Sequence, residues 1–443
     1  MAATVKLTVK LPTEQVALLV AGVRKDANCI LQALADVQAE KAEAATQSDL
    51  DMIVAVIKRS DGGMARVNIQ MKNYLRGWYL GELRKAADNS VNDALINVCV
   101  GFVFNALGEY DVALEYHMKS LAIYLATLGE NHSETATSYC NMGHAWSKKG
   151  DYTKALEFHM KGLAIKLATL GENHSSTATS YSNIGQAWGN KGDYTKALEF
   201  LMKSLAIYLA TLGENHSSTA TSYSNIGSAW SDKGDYIKAL EFHMKSLAIR
   251  LATLGENHSL TAGSYKHVGL LTFMAKGDYH TAISHIKKSL AIRLTSVGEN
   301  HPHTATSYRN FARVYEMKGE YSLAMKSCES ALVIYVATSG VGHTDTAIIY
   351  SLMGIIFEKM GDYVKSMEYC EKALAIQLVK VGELHAATAL IYHTMASVYA
   401  HKDVTIAREY YNKAFLIRQE KCGEEHPDTV LSLACLNRLA LRV

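Results

Sequence analysis

The chain has 443 residues, 49% of them hydrophobic and 20% charged, with a formal net charge of +2. That balance is ordinary for a soluble protein and offers no broad basic field, which argues against nucleic acid as a partner. No segment approaches the roughly 18 apolar residues of a membrane span. The seven cysteines are odd in number, scattered and without a C-x-x-C pair, which reads as free thiols in a reducing, cytoplasmic setting.

Residues 1–90 keep no period and are expected to form an irregular helical cap. "TVKLTVKL" (Thr4 to Leu11) alternates and suits a short strand or a loose arm. Helices are expected near 13–43, 49–59 and 64–87, with Ser48 and Asp51 resembling a capping box. Ser60-Asp61-Gly62-Gly63 reads as a turn. Trp78, Tyr79 and Leu83 would cover the open end of the first periodic unit, near residue 91; the other reading is a separate partner-binding module.

From about residue 91 to 443 the sequence repeats itself. Gly-Asp/Glu-Tyr recurs at Gly108, Gly150, Gly192, Gly234, Gly277, Gly319 and Gly361, at a spacing of 42 with a single 43. A degenerate version lies at "HKDV" (His401 to Val404). Residues 150–191 and 192–233 differ at only six positions. Within one unit, Tyr181, Ile184, Gly185 and Trp188 make one helical stripe. Gly192-Asp193 stops that helix. Tyr194, Ala197, Leu198, Leu201, Leu205, Leu209 and Leu212 make a second stripe, ended by Gly213 and Asn215. Ser217, Ser218 or Thr219 is expected to cap the next helix. The small residues Gly185 and Ala197 let the two backbones approach closely.

This pattern resembles the tetratricopeptide repeat, a helix–turn–helix unit with a W-x2-L-G-x2-Y…A-x3-F signature. The long second helix ending in L-G-E-N-H, with Pro302 and Pro427 after the histidine, resembles the 42-residue units of kinesin light chains and related scaffolds. The N-terminus lacks the long heptad coiled coil such chains use to join heavy chains. The resemblance implies an all-α, right-handed superhelical solenoid. Ala94, Ala136, Ala178, Ala220, Ala262, Ala305, Ala347 and Ala389 mark eight helix pairs, and a helix from Thr429 closes the array. Each pair exposes apolar surface on both flanks, so each needs its neighbour. Arg438 and Arg442 make the closing helix more polar, as an end cap requires.

The first helices of such repeats line a concave groove. Carried over from peptide-binding members, the sixth groove positions are Asn141, Asn183, Asn225, His267 and Asn310. An asparagine amide pairs with an extended peptide backbone, or else with its own neighbouring repeat. The fifth and ninth positions run from neutral (Ser182, Gln186, Ser224, Ser228) to basic (Lys266, Arg309, Arg313). Arginines one turn apart suit a carboxylate, in an acidic peptide or at a C-terminus. The other reading is a solvated charged face.

Histidine recurs once per repeat at His132, His174, His216, His258, His301, His343, His385 and His426. Helices stack about 8–10 Å apart while zinc–nitrogen bonds are about 2 Å, so these read as turn residues packing or hydrogen-bonding between repeats, with no metal. His117, His159 and His243 read as core histidines where Leu201 stands in the third unit. No Walker A, H-E-x-x-H, G-x-S-x-G or G-x-G-x-x-G motif occurs. The expectation is a cytoplasmic protein-interaction scaffold, without catalytic residues or cofactor, holding extended peptides in its groove and resembling a kinesin-light-chain cargo adaptor. The competing reading is a self-assembling structural array.

Overall fold

The computed structural model describes residues 93–424 and 426–440, together with Leu80, Gly81, Arg84, Lys85, Ala87 and Asp88. The strand, the helices of 13–43 and 49–59, the Ser48/Asp51 box, the turn at Ser60 and the placement of Trp78, Tyr79 and Leu83 lie outside the described residues. So does most of the 64–87 helix. Leu80 and Ala87 pack into the apolar cluster of the first repeat, and the Arg84 guanidinium lies 4.8 Å from the Phe104 ring centre.

The described residues form seventeen α-helices and contain no strand. The helices are α1 (Ala94–Ala106), α2 (Tyr110–Leu128), α3 (Ser133–Lys149), α4 (Tyr152–Leu170), α5 (Ser175–Asn190), α6 (Tyr194–Leu212), α7 (Ser217–Asp232) and α8 (Tyr236–Leu254). Then come α9 (Ser259–Lys276), α10 (Tyr279–Ser296), α11 (Pro302–Lys318), α12 (Tyr321–Thr338), α13 (Thr344–Lys359), α14 (Tyr363–Lys380), α15 (Ala386–Tyr399), α16 (Val404–Cys422) and α17 (Pro427–Ala440). Each odd helix packs on the even helix after it, which makes eight pairs with α17 closing the array.

Local chemistry sets every boundary. Gly192 sits at φ +91° between α5 and α6, a conformation that only glycine adopts without strain. Asp193 then caps α6, its carboxylate accepting the Lys196 N–H at 3.0 Å. The cap before each odd helix differs from the sequence expectation. It is the histidine, not Ser217, Ser218 or Thr219: His216 Nδ1 accepts the Ser218 N–H at 3.1 Å. Imidazole Nδ1 sits as far from the backbone as an asparagine oxygen, so it reaches the same orphan donor. Ser217 is already helical, and Thr219 Oγ1 donates back to Gly213 O at 2.8 Å. His132, His174, His258, His301, His343 and His385 cap in the same way. The histidine ladder therefore serves its own helices first, rather than adjacent repeats.

The close approach within each pair is steric. A Cβ on Gly143 would stand 2.7 Å from the His159 ring, on Gly185 2.7 Å from Leu201, and on Gly227 2.6 Å from His243. Between pairs, Leu201 and Leu205 of α6 share one apolar cluster with Tyr223 and Ile226 of α7 and Ile249 of α8. Ile184 and Ile226 are fully buried, worth about 1.5–3 kcal/mol each. Neighbour covers neighbour along the whole array.

The array also touches itself over long range, which a strictly one-dimensional stack would not do. The α1–α2 turn meets the start of α13, where His343 Nε2 lies 3.2 Å from Ala106 O. Lys380 at the end of α14 pairs with Glu109. His385 packs against Gly150, and the His426 and Tyr194 rings are 6.0 Å apart. The three histidine contacts join a turn to a cap between five and six repeats further on, and the Lys380–Glu109 pair spans more than six, so successive turns of the superhelix rest on each other. The inner trough is thus a channel bounded by successive turns that touch. On the closing helix Arg438 is exposed, and so are Val430, Leu431 and Leu433.

Candidate binding groove

The odd helices carry the interior face, and the sixth positions do not behave alike. Asn225 Nδ2 donates to Ser182 Oγ of the preceding repeat at 3.0 Å, so this amide is engaged within the array. Gln186 Nε2 lies 3.4 Å from the same oxygen. Asn310 is 5% exposed, and its Nδ2 has no hydrogen-bond partner. Asn141 and Asn183 are half-buried and Gln186 is exposed. His267 stacks on His243, rings 4.7 Å apart and planes within 7°. Burial, then Lys266, holds the His267 pKa well below the usual histidine range.

The basic residues do converge. Lys266 on α9 is half-buried, and burial followed by Arg293 and Arg309 pulls its ammonium down to about 8. Arg309 is half-buried on α11. One turn on, Arg313 is reachable by solvent, yet desolvation is the leading cause of its lowered pKa. Both facts hold for a side chain crowded by its neighbours yet open to solvent on one side of the channel. Carboxylates share that channel. Asp232 at the end of α7 is accessible but surrounded, and burial together with Asp428 pushes it up to about 6. Asp428, at the start of α17, also acts on Arg313. Glu316 is buried and pairs with Lys359. The patch is thus cationic with acids along one side, not a uniform basic strip.

One functional set escaped the sequence reading. Arg250, Arg293 and Arg418 are buried on even helices. Each donates to a serine 14 residues ahead on the next odd helix: Ser264 at 2.9 Å, Ser307 at 3.0 Å and Ser432 at 2.6 Å. Each also reaches a backbone carbonyl ten residues ahead, on Leu260, His303 and Asp428. They staple one pair to the next. A basic residue recurring 14 places before a serine was the available signal.

His117, His159 and His243 are buried at 1%, 3% and 1% exposure, as expected for core residues. Burial pulls each down to about 4. Cys99, Cys140, Cys328 and Cys370 are buried free thiols. No group of three or more metal-ligating side chains occurs among the described residues, and no described helix is long and apolar enough to cross a membrane.

A solenoid of stacked helical hairpins with an inward-facing polar channel is the class that fold and site define. The sequence model of the tetratricopeptide repeat matches residues 92–168, 147–210, 176–251, 218–295, 260–337 and 345–404, and a second tetratricopeptide repeat model matches 388–428. The chain belongs to the tetratricopeptide repeat family. Among solved structures it is similar to a Rap protein complexed with competence and sporulation factor, at 14% identity, 94% of this chain, 100% of that chain and a TM-score of 0.55. It is also similar to kinesin-light-chain-type, nearly identical TPR-like repeats of Podosopora anserina, at 24% identity, 47% of this chain, 98% of that chain and a TM-score of 0.39. The apo form of RapI matches at 17% identity, 64% of this chain, 98% of that chain and a TM-score of 0.48. No curated protein matches the sequence. Family and fold together make this a protein-interaction scaffold.

Proposed function

We propose that the scaffold holds an extended acidic peptide inside its channel, in the cytoplasm, as a kinesin-light-chain-like adaptor would hold cargo. Arg309 and Arg313 take side-chain or terminal carboxylates of the guest, with Lys266 beside them. Asn183 and Asn141 pair with its backbone. The observation that carries the reading is the mutual crowding of Lys266, Arg293 and Arg309: burial first, then repulsion from the two arginines, lowers the Lys266 pKa. A guest carboxylate relieves that repulsion. Several weak contacts along the channel then add through effective concentration. Asp428 and Asp232 set the limit, because an acidic guest has to stay clear of that wall. No catalytic residue or cofactor enters this reading.

The test is Arg309→Glu/Arg313→Glu against wild type, by anisotropy of a labelled acidic peptide at 50 and 200 mM salt. Loss of at least tenfold in affinity, and a shallower salt dependence, are expected. Unchanged binding refutes the site. A second reading is self-assembly, favoured by exposed Val430, Leu431 and Leu433 on α17. Light scattering across a hundredfold range of concentration separates the two: assembly raises the mass with concentration, and a peptide scaffold stays at one mass.

A further inference from the structure

The seam between successive turns of the superhelix runs along only part of the array. It seats the histidine-capped end of a late repeat on the Gly-Asp/Glu-Tyr turn of an early one. Gly108 and Gly150 are buried there, and a Cβ on them would lie 3.7 Å from His343 and 2.5 Å from His385. At the third turn a Cβ on Gly423 would stand 3.8 Å from the Lys191 carbonyl oxygen. The next four turns carry the same punctuation without a seated cap among the described residues. Gly234, Gly277, Gly319 and Gly361 are exposed, with nothing within 4 Å of a Cβ on any of them.

The hollows beside these turns differ in the same way. The one at Gly192, about 580 Å³, is lined by Lys191 and Lys233 of successive repeats and by Glu424 of the seated cap. Glu424 is the glutamate of the Gly-Glu-x-His cap turn, so here an acidic cap shares a hollow with two lysines. The equivalent hollows at Gly234 and Gly277, about 670 and 520 Å³, are lined only by residues of two neighbouring repeats, with no cap among them. On this open turn edge Lys276 and Lys287 are exposed and make no ion pair among the described residues. Asp235 and Asp362 of the same edge are already paired, with Lys238 and Lys365. Ile237 and Val364 are 66% and 73% exposed there, at the position where the seated turns carry Thr153 and Thr195. The open cap edge of the early repeats has the opposite character. Glu130, Glu172, Glu214 and Glu299 are exposed on it and make no ion pair among the described residues.

We propose that the open turn edge of one copy of this chain seats the open cap edge of a second copy, as the turn at Gly192 seats the cap at Glu424 within one chain. The inference rests on the self-assembly reading above, and it moves the contact from the α17 surface to the two edges. The new interface is continuous with the seam, since Gly234 opens the turn that follows Gly192. The turn edge asks for carboxylates presented once per repeat on a rigid surface, which the caps of this chain supply. Their glutamates lie against Lys276 and Lys287, and Ile237 and Val364 leave water. The two edges are different surfaces, so the contact is head-to-tail. A superhelix advances along its axis as it turns, so such a contact propagates instead of closing into a ring. Opposed rows of charge fix the register and make assembly sensitive to salt.

The test is sedimentation velocity of the full chain across a hundredfold range of concentration. Wild type is expected to gain mass beyond a dimer as concentration rises. Lys276→Glu/Lys287→Glu on the turn edge and Glu130→Lys/Glu172→Lys/Glu214→Lys on the cap edge should each weaken association at least tenfold. Mixed in equal amounts, the two variants should associate again, because the lysine turns of one meet the glutamate caps of the other. All five positions are exposed, so both variants are expected to fold, which a helical circular-dichroism spectrum checks. Leu431→Lys/Leu433→Lys, which alters only α17, should assemble as wild type does. Assembly that is unchanged in both edge variants, that is lost in the α17 variant alone, or that is not rescued in the mixture overturns the edge contact and leaves self-assembly standing. A wild type that stays at one mass overturns the self-assembly reading, and this inference with it.

Discussion

Acidification should weaken this array through three buried rings, and the third repeat contains the control. His117, His159 and His243 lie over Gly101, Gly143 and Gly227, with pKa values pulled to about 4 by desolvation. An unfolded histidine titrates near 6.5. The folded values are the lower ones, so folding favours the neutral rings. Their contribution is complete above about pH 6.5, declines as pH falls toward 4, and changes no further below that. Linkage then gives about 2 kcal/mol lost per ring between pH 7 and pH 5, or roughly 5 kcal/mol for three independent rings, as an upper figure. In the third repeat Leu201 occupies the same place over Gly185. The triple variant His117→Leu, His159→Leu, His243→Leu should therefore fold and lose much less stability over that pH step. Some slope will remain, because burial also lowers His385 and His393 to about 4. The assay is the urea midpoint at pH 7 and pH 5 for both proteins. Equal drops in midpoint would show that these rings are already solvated or protonated in the fold, and would refute the reasoning.

Three further outcomes can be checked on the same instrument or by hydrogen exchange. Gly143→Ala places a methyl 2.7 Å from the His159 ring and should cost about 1–3 kcal/mol, whereas Gly263→Ala, with nothing within 4 Å, should gain about 0.5–1 kcal/mol; the urea midpoint reads both. His216→Ala removes the Ser218 cap and should cost about 1 kcal/mol, with His216→Asn restoring most of it. Glu109→Lys sets two ammonium groups against each other at the inter-turn contact with Lys380 and should speed amide exchange at the α1–α2 turn, and the swap Glu109→Lys/Lys380→Glu should slow it again.

How much of the fold is legible in the sequence depends on the range of each signal. Period, Gly-Asp-Tyr punctuation and the stripes Tyr181–Trp188 and Tyr194–Leu212 are local, and they locate the eight pairs and the closing helix. The Gly185 and Ala197 contacts are equally local, since they depend on one helix meeting the next. The histidine caps were misjudged because serine and threonine stand beside them and are the commoner caps. Only the geometry shows that Ser217 is already inside the helix. The arginine staples span 14 residues, yet one turn of helix decides whether Arg250 points to solvent or into the next pair. For the candidate groove, Lys266, Arg309 and Arg313 were legible as a basic cluster, and Asp232 and Asp428 were not recognisable as their neighbours. Those carboxylates enter the same channel from helices that are far apart in sequence.

That last failure has one geometric source. Each repeat turns by a small angle relative to the one before, and no single repeat encodes where the accumulated rotation brings the chain back. Up to five repeats, the array is a stack in which every residue answers only to its neighbours. Beyond that the turn holding Ala106 and Glu109 meets His343 and Lys380. From there on, the His343, His385 and His426 caps serve both their own helix and a distant turn. Near-identical units such as residues 150–191 and 192–233 then cease to be equivalent, because His385 packs on Gly150 of one and His426 lies by Tyr194 of the next. Duplication supplies the units, whereas array length decides what each of them meets. A chain cut after α12 keeps six intact pairs, but it loses every one of these long-range contacts. It should therefore keep its helical spectrum while the turns at Ala106 and Gly150 exchange their amides at the rate of an open solenoid. Unaltered protection at those turns would mean that closure does not depend on the second superhelical turn.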